Sequence, residues 1–306
     1  MSKHKNIPGY KRGRLLSDGL FLLPALFFFS FVILIPFVLG IYYSFTDWDG
    51  INYSKQLIGF ANYKSIFTDM QFLYSAYATL KYALFSIVMV NVVGFCLALL
   101  VTSRAKGKNI YRVGFFVPNL IGGIVLGTIW QFIFSNIIPG LGKILGISGL
   151  ELSLLSNGKI IIFIMAFVNT WQYAGYIMMI YVAGIQSISM DVLEAAEVDG
   201  ASYPTRIFKI IMPLVSNSFT ICLFLTLTNA FKSYDLNVAL TAGGPAGLFA
   251  GGVVRQSELL ALNIYNTAYL YNKTAEGQAK AVLFFIFLAI ISIIQVSITK
   301  KKEVEL

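Results

Sequence analysis

Residues 194–201 read Glu194-Ala195-Ala196-Glu197-Val198-Asp199-Gly200-Ala201 and separate two long uncharged segments, 160–190 and 210–231. Asp191 lies three residues before Glu194, a capping-box spacing in which Asp replaces Ser or Thr. Gly200 can adopt the left-handed conformation that closes a helix. The stretch therefore predicts a helix of about two turns, roughly 12 Å long. Such a helix is unstable alone in water, so it needs a partner protein or packing against the rest of the chain.

The composition outside this stretch is that of a membrane protein. The chain has 306 residues, of which 57% are hydrophobic and only 12% are charged, whereas soluble domains carry about 25% charged residues. About 20 apolar residues in a helix cross the hydrocarbon core, and only closed backbone hydrogen bonding is stable in lipid. The uncharged segments predict an all-α polytopic protein with six spans, at about 20–44, 81–103, 113–135, 159–186, 207–232 and 280–299. They form one transmembrane domain, 19–299, and its acidic loop is 187–206.

A seventh uncharged segment, 236–254, is long enough to cross a membrane but contains five glycines and one proline. These residues weaken a helix, so we interpret the segment as an external or re-entrant loop. Elsewhere in the chain, directly before the predicted span 81–103, the end of the first external segment (69–80) is expected to form a short interfacial helix.

The basic residues predict the orientation of the chain. The turn 104–112 carries four basic residues and no acid, and both chain ends are basic. By the positive-inside rule, the tails 1–18 and 300–306 are expected in the cytoplasm. The net charge of +9 is thus a membrane signal, and we expect no nucleic-acid partner.

The acidic loop resembles the cytoplasmic EAA loop found in permease subunits of binding-protein-dependent ABC importers. The family pattern is Glu-Ala-Ala, two residues, Asp-Gly-Ala, and then an apolar stretch that ends in Pro. Here the pattern falls on Glu194, Ala195, Ala196, Asp199, Gly200, Ala201, Phe208 and Pro213. The chain departs from the family at Asn217, where a second proline is common. The resemblance implies that Asp191, Glu194, Glu197 and the motif residues couple this chain to an ATPase, whereas the residues alone also fit a solvated turn.

Other stretches resemble the sugar-permease branch of that family. They are Pro24 and Pro36, 44–48 (Ser-Phe-Thr-Asp-Trp), 59–63 (Gly-Phe-Ala-Asn-Tyr), Pro118, Trp171-Gln172 and 241–245 (Thr-Ala-Gly-Gly-Pro). A departure is Ala78-Thr79, where Asn-Thr is common. The resemblance covers nearly the whole chain and implies the type I ABC importer transmembrane fold in a bacterial-type plasma membrane. It further implies a second permease subunit, two ABC ATPases that bind ATP and Mg, and an external or periplasmic sugar-binding protein.

The candidate substrate path consists of uncharged polar residues within or at the edge of the predicted spans. Amides bond hydroxyl groups and aromatic rings cover the apolar face of a sugar ring. The candidates are Asn119, Asn169, Gln172, Tyr173, Tyr176, Asn229, Tyr234 and Asp235, with Asn91 and Thr170 also in the spans. Each of them also fits a role in bonding neighbouring helices. The sequence does not tell which helix faces line a pore, nor which sugar would pass.

The remaining residue types disfavour other functions. The uncharged segments that define the spans hold no Asp, Glu, Lys, Arg or His, which disfavours a proton- or sodium-coupled carrier and an enzyme. The sequence has no phosphate-binding loop, so we expect no cofactor or metal on this chain. Cys96 and Cys222 are expected to be small buried residues without a disulfide. Two functions remain: an ATP-driven sugar importer subunit, or an ATP-independent channel or facilitator for small polar solutes.

Overall fold

A computed structural model describes residues 8–52, 55–103 and 107–301, with side chains from Gly19 onward. The outer parts of both predicted tails, 1–7 and 302–306, and residues 104–106 of the basic turn lie outside the described residues. Contacts divide the chain into two units, unit 1 (Met1–Lys64 and Thr267–Val282) and unit 2 (Ser65–Asn266 and Leu283–Leu306).

Helices make up most of the described chain, and the longest helices are apolar. The helices are α1 Pro8–Phe29, α2 Ile35–Tyr43, α3 Ala61–Ile66, α4 Met70–Thr102, α5 Lys108–Phe116, α6 Gly123–Phe132, α7 Ile138–Leu145, α8 Ile161–Gln186, α9 Met190–Val198, α10 Tyr203–Arg206, α11 Met212–Leu214, α12 Ser216–Phe231, α13 Asp235–Leu240, α14 Leu260–Tyr265 and α15 Thr274–Lys300. Strands β1 Ala246–Phe249 and β2 Gly252–Arg255 form an antiparallel hairpin. Single π-helical turns join α1 to α2, α6 to α7 and α10 to α11.

Five of these helical stretches are long and apolar enough to cross a membrane. They are Gly19–Tyr43, Met70–Thr102, Gly123–Leu145, Ile161–Gln186 and Thr274–Lys300. A sixth candidate is the pair Tyr203–Leu214 and Ser216–Phe231, which bends by 74°. The all-α polytopic prediction is confirmed, with five or six candidate spans among the described residues. The glycine-rich segment 236–254 forms α13 and the hairpin, in agreement with its prediction as a loop.

Two helices differ from the predicted bounds. The interfacial helix expected at 69–80 is the first part of α4, whose N-cap Asp69 accepts hydrogen bonds from the backbone N–H of Gln71 and Phe72. The long helix expected at 113–135 starts at Gly123, and α5 is a separate element. Pro118 occupies a 3₁₀ turn and Gly122 is extended (ψ 141°), so the backbone breaks between α5 and α6. Counting charges does not detect such a break.

The core of unit 2 lies between α4, α8 and α12, where a buried polar network joins all three helices. The Tyr181 hydroxyl donates to Asn91 Oδ1 at 2.7 Å, and Asn91 Nδ2 donates to Thr226 Oγ1 at 3.0 Å. Asn91 therefore bonds neighbouring helices. Cys222 is buried in the same core, but Cys96 is exposed and both thiols are free, so the expectation that Cys96 is buried is wrong.

Helix α13 packs closely on α6 because both contact positions of α6 are glycine. A Cβ at Gly123 would lie 2.7 Å from Asp235 Cβ, and one at Gly127 would lie 2.6 Å from Ala239 Cβ. On its other side, Asn237 of α13 donates from Nδ2 to Ser257 O at 2.8 Å and accepts from Leu259 N–H at 3.0 Å. These contacts position the start of α13, which lines the candidate site.

Candidate functional site

Unit 2 contains a cavity of about 420 Å³ between α6, α8, α12 and the start of α13. Most of its lining side chains are polar or aromatic. They are Gly123, Asn169, Gln172, Tyr173, Leu225, Thr228, Asn229, Lys232, Ser233, Tyr234, Asp235 and Leu236. A volume of this size is typical of a small-molecule site.

The cavity brings together six of the eight predicted path residues, namely Asn169, Gln172, Tyr173, Asn229, Tyr234 and Asp235. The other two do not line it. Asn119 lies in the 3₁₀ turn Val117–Leu120, and the Tyr176 ring lies 5.3 Å from the ring of Tyr173. Sequence reasoning missed Thr228 and Lys232. Thr228 lies one residue before Asn229, and Lys232 directly follows the uncharged segment 210–231.

Several cavity groups keep hydrogen-bonding capacity. Gln172 Nε2 donates to Ile121 O at 2.8 Å, which fixes the side chain and leaves its carbonyl oxygen available. The Ser233 hydroxyl shares a hydrogen bond of 3.3 Å with Tyr82. Asn229 is half-buried in the wall, and its side chain makes no hydrogen bond to another described residue. Amides of this kind offer both donors and acceptors to hydroxyl groups.

The charges of the cavity balance and its outer tyrosine stays protonated. Lys232 and Asp235 are the lining residues that carry charge. Burial raises the pKa of Tyr234, and a hydrogen bond with Tyr265 and the neighbouring charge of Asp235 raise it further. The phenol therefore remains a neutral hydrogen-bond donor at pH 7. A neutral, polar, partly apolar solute fits this arrangement.

The acidic loop forms helix α9, and its ends explain its stability. Ser189 is the N-cap and accepts from Asp191 N–H at 3.2 Å, so the predicted cap at Asp191 is wrong. Serine is among the residue types preferred at the N-cap of a helix. Asp191 lies in the first turn of α9, where a negative charge is favourable. At the other end Gly200 has φ +73°, as predicted.

The C-terminus of α9 has both hydrogen bonds of a Schellman motif. The N–H of Ala201 donates to Ala196 O at 3.0 Å, and that of Gly200 donates to Glu197 O at 3.1 Å. A Cβ on Gly200 would have no atom within 4 Å. The positive φ, and not a lack of space, therefore requires glycine.

Helix α9 has one buried side and one exposed side. Ala196 is buried and Leu193 packs against the core cluster that contains Ile188 and Ile211. The acids Asp191, Glu194, Glu197 and Asp199 are exposed, as are Ala195 and Pro213, and Ala201 is half-buried. Glu197 pairs with Arg206 at 3.3 Å. Val198 is 87% exposed, so the outer side combines acids with an uncovered apolar residue.

Among the described residues, no group of three or more His, Cys, Asp or Glu side chains could hold a metal ion.

Comparisons with known proteins identify the family to which this chain belongs. A family model described as "Binding-protein-dependent transport system inner membrane component" matches residues 90–302. The "Probable starch degradation products transport system permease protein AmyD" of Thermoanaerobacterium thermosulfurigenes is 41% identical over 97% of this chain and 99% of its own length. The "Multiple sugar-binding transport system permease protein MsmF" of Streptococcus mutans is 32% identical over 88% of this chain and 90% of its own.

A solved structure described as a bacterial ABC transporter involved in the import of the acidic polysaccharide alginate superimposes with a TM-score of 0.79. The alignment covers 96% of this chain and 98% of that one at 18% identity, which indicates a shared fold. The matched relatives are transport permeases, and the matched family region includes both the cavity and α9. This chain therefore belongs to the family of inner-membrane components of binding-protein-dependent transport systems.

Proposed function

We propose that this chain is the transmembrane permease subunit of an ATP-driven, binding-protein-dependent importer of sugars, with oligosaccharides as its cargo. The observation that carries the proposal is the cavity. Amides, tyrosines, one lysine and one aspartate line a single space between the helices of a membrane protein. The names of the relatives AmyD and MsmF, which refer to starch degradation products and multiple sugars, support a sugar cargo.

The energy source lies on other subunits in this proposal. Two ABC ATPases bind ATP and Mg in the cytoplasm, and this chain holds no cofactor. Helix α9 docks on one ATPase through Asp191, Glu194, Ala195, Glu197 and the C-terminal turn, with Gly200, Ala201 and Pro213 shaping the loop. Its buried side transmits the ATPase movement to the core, because Leu193 packs on the same cluster as α8 and α12.

The remaining partners complete the path. A second permease subunit, a chain different from this one, supplies the other half of the pore. An external or periplasmic binding protein delivers the sugar. A solved structure of similar fold, a bacterial alginate ABC transporter in complex with an alginate pentasaccharide-bound periplasmic protein, supports that arrangement. The basic turn and tails support a cytoplasmic location for both chain termini.

Asn229 and Asn217 test the cavity as a matched pair on α12. Asn229 lines the cavity, whereas Asn217 is exposed outside it. In proteoliposomes with the partner subunits, Asn229→Ala is expected to slow maltooligosaccharide uptake about three- to tenfold, because one hydrogen bond contributes about 0.5–1.5 kcal/mol. Asn217→Ala should leave uptake unchanged. Equal uptake by both variants would contradict the assignment of the cavity as the sugar path.

A further inference from the structure

A second cleft, of about 410 Å³, lies entirely within unit 1. It is formed by the last turns of α2, the loop that follows, and the segment leading into α15. Its lining combines apolar, aromatic and amide groups, of which Leu39, Tyr43, Trp48, Ile51, Asn272 and Gln278 carry the argument. The cavity of unit 2 contains none of these residues.

The walls of this cleft are held together by close backbone approaches. A Cβ at Gly40 would lie 2.8 Å from Gln278 Oε1, and one at Gly50 would lie 2.4 Å from Thr274 Oγ1. The N–H of Ala275 donates to Trp48 O at 2.9 Å. The loop is thus fixed against the start of α15.

The cleft is apolar at one end and polar at the other. Pro36 and Leu39 belong to the span Gly19–Tyr43, whose most apolar window has no buried residue. Trp48 and Asn272 belong to loops beyond the ends of both neighbouring spans. Because α2 rises about 1.5 Å per residue, the cleft extends about 10 Å from the interface into the depth of lipid chains. A ligand with an acyl chain and a polar head matches this profile.

Lys55 does not itself line the cleft, but its cation lies against two aromatic residues that do, Tyr43 and Trp48. Its Nζ lies 4.5 Å from the ring centre of Tyr43 and 4.4 Å from that of Trp48, and it donates to the Tyr43 hydroxyl at 3.2 Å. No ion pair joins Lys55 to an acid among the described residues. An ammonium group has three donors, so two remain for a ligand.

The other charged groups at this end are already engaged. Asp49 Oδ1 accepts from the backbone N–H of Ile51 and Asn52, and Oδ2 accepts from Asn52 Nδ2. The backbone N–H groups of Asn52 and Ile51 lower the pKa of Asp49, so it stays a carboxylate bound to its own loop. Lys273 and Lys280 both pair with Glu276.

We propose that this cleft binds a membrane glycerophospholipid. One acyl chain lies along Pro36 and Leu39, the glycerol backbone packs on Trp48, and the phosphate accepts from the free donors of Lys55. Aromatic residues are enriched where lipid head groups lie, and a lysine ammonium beside them forms a charge-assisted hydrogen bond with a phosphate. This inference depends on membrane insertion and not on the transported cargo.

Brominated lipids test the site through Trp48. The chain has three tryptophans, and Trp130→Phe with Trp171→Phe leaves Trp48 as the reporter. Dibrominated phosphatidylglycerol, titrated into the detergent-solubilised full chain, should quench Trp48 saturably and about fivefold more tightly than dibrominated diacylglycerol, which lacks the phosphate. Lys55→Ala should abolish the difference between the two lipids. Lys55→Arg and the exposed control Lys64→Ala should keep it.

Quenching that never saturates, or an unchanged preference in Lys55→Ala, would overturn the proposal. Photo-crosslinking in native membranes identifies the occupant directly, with p-benzoylphenylalanine placed at Ile51, which is 71% exposed at the cleft. The expected product is this chain with one phospholipid attached. A product with another protein would show that a protein covers the cleft, and would also overturn the proposal.

Discussion

At the scale of residues, two asparagines of the same kind have different roles. Asn91 and Asn169 both lie in apolar helices, and both are predicted either to line a path or to bond helices. Asn91 is bonded to Tyr181 and Thr226, whereas Asn169 lines the cavity. The sequence predicts which residues are polar, but the direction each one faces depends on which helices pack together.

Gly127 tests the close contact between α6 and α13. A Cβ there would lie 2.6 Å from Ala239 Cβ and 3.1 Å from the backbone nitrogen of Leu240. Gly127→Ala should therefore destabilise the fold by about 1–3 kcal/mol, seen as a lower thermal unfolding midpoint in detergent. Gly114→Ala is the control, since Gly114 also lies within a helix but has no atom within 4 Å of a Cβ. It should raise stability by up to about 1 kcal/mol. The same change in both variants would contradict this account.

At the scale of elements, local signals predicted α9 better than they predicted long-helix bounds. The closing glycine and the length of about two turns followed from the sequence, because a left-handed C-terminus is a local property. The N-cap was assigned to Asp191, although Ser189 makes the bond. Both residue types cap helices, and the choice depends on where the chain leaves α8. The break at Pro118 and Gly122 was missed because charge spacing carries no information on backbone direction.

Gly200→Pro tests the coupling helix. Proline fixes φ near −65°, so it cannot adopt the φ of +73° found here and disrupts the end of α9. Gly146→Pro is the matched control, because Gly146 also ends a helix with a positive φ and has open space around it. ATPase copurifying with Gly200→Pro should fall about tenfold, a loss of about 1.4 kcal/mol. It should remain at the wild-type level with Gly146→Pro. Equal recovery would argue against docking through α9.

At the scale of the whole molecule, composition predicted the fold class and the family motif predicted membership. Six long uncharged segments must be helices in lipid, whatever their arrangement. The positions of the cavity and of the cleft could not be predicted, because an apolar sequence does not specify which helices pack together. The packing of α13 depends on close contacts made by single residues. Gly123 and Gly127 let α13 approach α6, and the Asn237 side chain bonds the backbone at Ser257.

The central claim is that this chain forms the membrane path of a transporter driven by separate ATPases. The most direct test is sugar uptake by vesicles that contain this chain, its permease and ATPase partners and the loaded binding protein. We expect accumulation against a gradient only when ATP is enclosed with the ATPases. Uptake at the same rate without ATP, which stops when concentrations are equal, would identify a facilitator and contradict the account.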